Sequence, residues 1–585
     1  MSNKKTGKGN MKALGRVLSV IKKRGFLVFG TLLCAALYVV ASLLIPVFVG
    51  DVIDLAVGVG SVDFAKVGVC LAKIAVAAGI AGLAQYIMNL LNNRITYGTV
   101  ADMRRMAFEK IQRLPFSYLD CIPSGDIVSR VTSDAEQVGD GLLTGFTQFF
   151  TGVITIIGTL VLMFRSSPWI ALAVVVVTPL SLVAARLVSK KSYGFFREQA
   201  EVRGEQTAFT NEMISGQKTV QTYSRRERTQ EEFDEINGRL KRVSLKAIFW
   251  SSLTNPVTRF VNSIVYAVVA AVGAVTAISN PAFTAGMLTR MLSYANQYTK
   301  PFNEISGVVT ELQGAMAAAE RIFGIIDAEP EIPEAPEILE TPEGEVRLDH
   351  VYFSYVKDKK LIEDLNLEVR PGMKVAIVGP TGCGKTTLIN LLMRFYDTDA
   401  GTISVDSHPI KDVTRHSLRA AYGMVLQETW LMPGTVRENI AMGKPDATDE
   451  EIRAAAVKAR ADAFIERLPD GYDTQVGTAG MLSEGERQLL CIARVMLTEP
   501  SMLILDEATS SIDTRTEAKI KQCFDRMTEG HTSFVVAHRL STILDADLIL
   551  VMKEGKVIER GTHDELLAAG GFYSVLWNSG RTASA

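Results

Sequence analysis

Apolar positions are gathered into long runs in the first half of the chain and into short, evenly spaced runs in the second. The long runs cover residues 26–49, 67–91, 143–164, 169–188, 247–278 and 282–300. Each reaches or nearly reaches the ~20 residues that a hydrocarbon core demands. A six-span membrane domain over 26–326 is therefore predicted. Only Arg165–Pro168 separates the third run from the fourth, so a tight turn is expected there. The connections 92–142 and 189–246 are polar and rich in helix formers, and the spans should continue through them as long helices. Asn92–Leu114 alone would carry a helix about 35 Å beyond the bilayer.

Charge fixes the orientation of these spans. Lys12, Arg16, Lys22, Lys23 and Arg24 precede the first, and Arg94, Arg104, Arg105, Lys110 and Arg113 follow the second. The loop expected at 51–66 instead carries Asp51, Asp54 and Asp63 against one Lys66. Basic residues favour the cytoplasmic side, which places both termini and the whole second half in the cytoplasm of a multi-pass plasma-membrane protein. The first apolar run is too long for a signal peptide and lacks a small-residue cleavage site.

Residues 327–345 (DAEPEIPEAPEILETPEGE) are rich in proline and glutamate and read as an extended, solvated linker. From 346 to 580 the pattern becomes short β runs alternating with helices, which predicts an α/β domain on a largely parallel sheet; 581–585 is a short tail. The formal net charge of −2 gives no reason to expect nucleic acid as a partner. The cysteines (Cys34, Cys70, Cys121, Cys383, Cys491 and Cys523) lie far apart without metal-ligand spacing, so scattered reduced thiols are expected.

The chemistry lies in the α/β half. Gly379–Thr386 reads GPTGCGKT, between the strand-like Lys374–Val378 and the helix-like Leu388–Met393. That is a complete phosphate-binding loop in the required strand–loop–helix context. Gly379, Pro380, Thr381, Gly382, Cys383 and Gly384 form the ATP-binding loop, whose glycines let its backbone N–H groups wrap the phosphates. Lys385 would reach the β- and γ-phosphates, Thr386 would ligate Mg²⁺, and Thr387 closes the segment. The apolar run Met502–Leu505 ends in Asp506–Glu507. An acid at that strand end is placed to hold Mg²⁺, and Glu507 to polarise the attacking water.

On these motifs, the chain from 346 to about 578 resembles the nucleotide-binding domain of an ABC (ATP-binding cassette) transporter. The resemblance implies that Tyr355 stacks on adenine and that Gln427 contacts Mg²⁺ and senses the membrane domain. It further implies that LSEGE (Leu482–Glu486) is the signature, Ser510–Asp513 the D-loop with Asp513, and His538 the switch histidine at the γ-phosphate. Residues Pro115–Asp134 and Ser215–Glu227 resemble the two cytoplasmic loops of exporter-type half-transporters, which carry short coupling helices. The implied architecture is a polytopic α-helical membrane domain with long cytoplasmic extensions, preceded by residues 1–25 with an elbow helix and followed by the ATPase cassette.

In that family the signature of one subunit closes on ATP held by the other, so two cassettes are obligatory. The usual LSGGQ is here LSEGE, with Ser483, Gly485 and Glu486 facing the partner's site. Ser483-x-x-Glu486 is also a capping box, which glutamate serves as well as glutamine. Its charge is the change: about 6 Å from a phosphate charge it would repel by on the order of 2–3 kcal/mol at an effective dielectric near 20. Thr478 also stands where the family usually has an acid. Both departures lie on the surface offered to a partner, which favours a heterodimer with a second half-transporter over a homodimer.

Arg290 lies nine residues after Pro281, about 14 Å along a helix. An ionisable group there faces a cavity or pairs within the bundle. Arg259 and Lys300 are expected near the cytoplasmic interface. Spans rich in Val, Ala, Leu and Gly suit a small amphipathic cargo. Export by alternating access is the leading expectation, with import on the same fold, or an ATP-gated channel or regulatory subunit, as rivals.

Overall fold

The computed structural model describes residues 3–56, 62–280, 282–356, 359–426, 429–477, 481–506, 514–537 and 543–582. Gln427, Thr478, Glu507, Asp513 and His538 lie outside that set. Two units divide the chain, one from residues 1–112 and 123–328, the other from residues 113–122 and 329–585.

The first unit is helical. It begins with α1 (Asn3–Lys22), α2 (Gly25–Ala56) and α3 (Phe64–Ile111). The carboxylate of Asp63 starts α3 by accepting from the N–H groups of Ala65 and Lys66, at 3.1 and 3.2 Å. With 48 residues, α3 is about 72 Å long. The short α4 (Phe116–Leu119) falls in the second unit. There follow α5 (Ser124–Ser129), α6 (Ala135–Thr144), α7 (Phe150–Ser166), α8 (Pro168–Ser215), α9 (Gln217–Thr222), α10 (Arg226–Ser252), α11 (Thr254–Ser279) and α12 (Ala285–Ile326). One residue, Ser167, separates α7 from α8, which is the expected tight turn. Short helices α4 and α9 lie in the two loops where coupling helices are expected.

Among the described residues, four helical stretches are long and apolar enough to cross a membrane: Gly25–Ala56, Phe64–Ile111, Ser124–Ser166 and Arg226–Ser279. Pro168–Leu180 is a shorter apolar helix, and α12 carries the run expected at 282–300. Single π-helical turns, Arg130–Asp134 and Gly145–Phe149, flank α6. Asp134, in the first of them, is buried and takes a two-pronged contact from Arg321 of α12 at 2.7 and 2.6 Å. That geometry matches the flat guanidinium fork to both carboxylate oxygens.

The loop expected at 51–66 is shorter than the charges suggested, because α2 runs on through Asp51 and Asp54 to Ala56. Both acids have partners on α12. Asp54 accepts from the N–H of Gly286 and from the hydroxyl of Thr284, each at 2.7 Å. The carboxylate of α2 thereby serves the exposed N–H end of α12, alongside Thr284, the helix's own cap. Arg290 bonds Asp51 at 2.5 Å and stands 3.9 Å from Asp54. Of the two readings of Arg290, the structure therefore displays pairing within the bundle. The Tyr294 hydroxyl donates to the carbonyl of Leu43 at 3.0 Å, one more tie between the same helices.

Close approach is what makes this knot feasible. A Cβ on Gly286 would lie 2.1 Å from the carbonyl oxygen of Gly50 and 2.4 Å from an oxygen of Asp54. Gly286→Ala should therefore push α2 and α12 apart and cost about 1–3 kcal/mol. A lowered thermal unfolding midpoint of the purified full-length protein would register the loss; an unchanged midpoint would contradict it.

The second unit is built on two sheets. Ile362–Val369, Val346–Phe353, Ala400–Val405 and His408–Pro409 form an antiparallel sheet in that order. The larger sheet runs Lys556–Gly561, Leu548–Lys553, Lys374–Val378, Thr532–Val536, Met502–Asp506, Tyr422–Val425. All its neighbours pair in parallel except the first two. One core packs the helix Lys385–Leu392 against strands of both sheets; another lies under the helix Glu484–Thr498.

The segment read as a solvated linker is extended but docked. Its carbonyl at Glu337 accepts from Thr414 N–H at 2.7 Å, and Leu339, buried, donates its N–H to the Ser417 hydroxyl. Arg415, itself buried, bonds the Ile332 carbonyl at 2.8 Å and lies 3.0 Å from a Glu331 oxygen. A buried guanidinium needs such partners, and the acidic strap supplies them.

Candidate nucleotide site

The parallel strands end together at one edge of the larger sheet. Thr532–Val536 is buried along its whole length and pairs in register with Lys374–Val378 on one side and Met502–Asp506 on the other. Val536 stands opposite both Ile377 and Asp506. Beyond Asp506, Tyr422–Val425 closes the parallel set, with Val425 opposite Leu505. These strands lead directly into the phosphate-binding loop, the Asp506–Glu507 pair, the segment of His538 and the segment of Gln427. In open α/β sheets, ligands bind outside the carboxyl ends of the strands.

The loop has the backbone that phosphate binding requires. Gly384 has φ +106° and opens the helix Lys385–Leu392, a left-handed conformation that an L side chain resists. A Cβ on Gly379 would lie 2.2 Å from the Met552 carbonyl oxygen, so that position admits hydrogen only. Lys385 is buried, its ammonium donating to the carbonyls of Gly379 and Pro380 at 2.7 and 3.2 Å. Thr387 is buried beneath, while Thr381, Gly382 and Thr386 are exposed on the loop's open side. Cys383 is a core residue. A bare backbone, a lysine folded over it and a helix N-terminus form a cradle that fits a nucleotide triphosphate.

Residues 28–302 match the family described as "ABC transporter transmembrane region", and residues 362–510 match the family described as "ABC transporter". The chain is 40% identical over 513 residues to the "Fatty acid ABC transporter ATP-binding/permease protein" of Mycobacterium tuberculosis, across 88% of this chain and 81% of that protein. The chain belongs to the ABC transporters. It is also 36% identical to the "ATP-dependent lipid A-core flippase" of Shewanella denitrificans, across 85% of this chain and 83% of that one. A solved "Structure of a bacterial Atm1-family ABC exporter with ATP bound" superposes with a TM-score of 0.77 at 26% identity, covering 96% of this chain and 98% of that one. As an ABC transporter of exporter fold, the chain binds ATP and couples its hydrolysis to transport across a membrane. Half-transporters of this kind work as dimers in a lipid bilayer.

The segment Leu482–Glu486, expected as the signature, holds a complete capping box. Ser483 accepts from the N–H of Glu486 at 3.3 Å, and Glu486 accepts from the N–H of Ser483 at 2.9 Å and from its hydroxyl at 2.8 Å. Gly485 is buried between them, and Glu484 points outward, exposed. The Glu486 carboxylate is thus turned back on its own helix end, where the macrodipole favours negative charge.

Tyr355 is 48% exposed. It packs edge-on against Phe353 and Tyr396, at 4.9 and 5.0 Å between ring centroids, and its hydroxyl accepts from Asn390 at 3.2 Å. The Tyr396 hydroxyl in turn donates to Asp120, just past α4, and Phe116 of α4 packs on Phe395 at 4.9 Å. The aromatic cluster around Tyr355 therefore connects directly to the segment of α4. Tyr396 and Asp120 were not legible as a pair, because they meet across 276 residues.

Ser483→Ala should cost the full-length protein about 1 kcal/mol, whereas Glu486→Gln should keep the box and leave stability within about 0.5 kcal/mol. Chemical denaturation compares them, and equal losses in both would refute the box. Burial, reinforced by the Asp120 carboxylate, pushes the Tyr396 hydroxyl well above its ordinary value. The unfolded hydroxyl ionises near about pH 10 while the folded one stays protonated, so stability present below that pH is lost as pH rises past it. Tyr396→Phe should make this alkaline decline shallower in a pH series of unfolding midpoints.

Proposed function

We propose that the chain is one subunit of a dimeric exporter that moves a small amphipathic, lipid-like substrate out of the cytoplasm or inner leaflet. The membrane domain would have six spans, with both termini and the cassette on the cytoplasmic face of the plasma membrane. The observation that carries this reading is the cassette's built phosphate cradle on a chain whose helical region matches the family from residue 28 to 302. The relatives named for fatty acid and lipid A-core transport support a lipid-like cargo.

Within the nucleotide site, Lys385 and the loop N–H groups would hold the phosphates, and Tyr355 the adenine. Thr386, Asp506 and Gln427 suit Mg²⁺, which when bound supplies positive charge against the phosphate oxygens. Glu507 would take the proton of the attacking water, His538 would contact the γ-phosphate, and Asp513 would join the two cassettes. Closure of the cassettes, passed through α4 and α9, would shift the membrane domain between inward and outward states.

The signature supports an asymmetric pair. Glu486 keeps the capping role of the usual glutamine but adds a charge to the surface offered to a partner's ATP, and Thr478 adds no acid where one is usual. A partner with an unaltered signature would complete this chain's own site, whereas the site capped by Glu486 would turn over more slowly. Purification from the native membrane should recover a second half-transporter in equal amount. In the reconstituted pair, Glu507→Gln here should cut steady-state ATP hydrolysis by about 100-fold or more while ATP still binds. The pair should accumulate labelled lipid in inside-out vesicles only with ATP. A homodimer with two equal sites would refute the asymmetry, and ion currents without accumulation would refute transport.

A further inference from the structure

An open groove of about 520 Å³ lies between α2 and α3. Leu37, Val40 and Phe48 line it from α2, Val69 and Val76 from α3, and Lys73 carries the only charge among its lining residues. Val40, Val69 and Val76 are each more than half exposed, so the groove faces away from the other described helices of this chain. The ammonium of Lys73 stands 5.8 Å from the centroid of the Phe48 ring, the outer limit of a cation–π contact. Lys73 lies nine residues into α3, about 14 Å along the helix, and sits within a run otherwise apolar enough to span a bilayer. A cation there is costly and normally marks a function.

The groove has a head and a tail. Cβ atoms tilt toward a helix N-terminus, so the lysine stem leads its ammonium toward the α2–α3 connection and the membrane surface. In the other direction the apolar wall runs from Phe48 to Leu37, about 16 Å along α2. A cation at the shallow end and a hydrocarbon wall below it match an amphiphile with an anionic head and an alkyl tail. Because no other described helix of this chain covers the groove, the surrounding bilayer is the source of that amphiphile in this proposal. We infer that the α2–α3 groove is a binding site for an anionic glycerophospholipid, its phosphate on Lys73 and an acyl chain along Leu37, Val40 and Val76. Nothing in this assignment depends on which substrate is exported or in which direction.

The test uses the full transporter in nanodiscs of equal phosphatidylglycerol and phosphatidylcholine, with retained lipids counted by native mass spectrometry. The wild type should retain phosphatidylglycerol in preference. Lys73→Gln should reduce that preference roughly fivefold, the scale of one surface lysine against an anionic lipid, and Lys73→Arg should restore it. Ala72→Trp, which fills the groove from its wall, should lower retention of both lipids, with thermal midpoints confirming that each variant is folded. No preference in the wild type, or an undiminished one in Lys73→Gln, overturns the site. Val40→Cys cross-linking to the partner subunit would also overturn it, by showing that protein covers the groove.

Discussion

The register of one buried strand governs the catalytic half of this transporter. Thr532–Val536 is enclosed on both faces and holds Lys374–Val378 and Met502–Asp506 level with each other. A slip of one residue would turn every side chain of a strand to the other face, and would move the phosphate loop relative to the acid that follows Leu505. The hydrogen-bond ladder prevents this, and the hydrophobic cores beneath it, which include Phe534, Ile504 and Ile377, make any alternative pairing expensive. The site is thus a set of short strand ends fixed by a deep interior, rather than a set of independently placed side chains.

The two halves are organised by different physics. In the cassette, apolar burial sets positions and backbone groups supply the chemistry. In the membrane unit, where hydrocarbon offers no hydrophobic drive between helices, polar contacts specify the packing. Asp51, Asp54, Thr284 and Arg290 fasten one end of α12 to α2, and Asp134 with Arg321 fastens its other part beside a π-helical turn. One long helix is therefore gripped at two separated polar points, with mostly apolar contact between.

What the sequence made legible follows the range of the interactions. The phosphate loop, the strand before it and the strand ending at Asp506 are local patterns, and the structure places them as read. The capping box of Ser483 and Glu486 spans four residues and was equally readable. The strap at 327–345 is extended and largely exposed, as proline and glutamate indicate, but its docking depends on Arg415, far along the chain. Asp51 and Asp54 suggested a loop, since their partners on α12 lie more than two hundred residues away. Lys73 is inconspicuous for the opposite reason: a single charge does not interrupt an apolar run, and only the groove beside it shows its position to be unusual.

The unbroken α3 has a mechanical consequence. A rod about 72 Å long converts a small rotation into a large displacement, so that a turn of about 5° about one end carries the other roughly 6 Å. That is more than the pitch of one helical turn, about 5.4 Å, and enough to exchange one row of side-chain contacts for the next. Such a lever arm needs no hinge of its own.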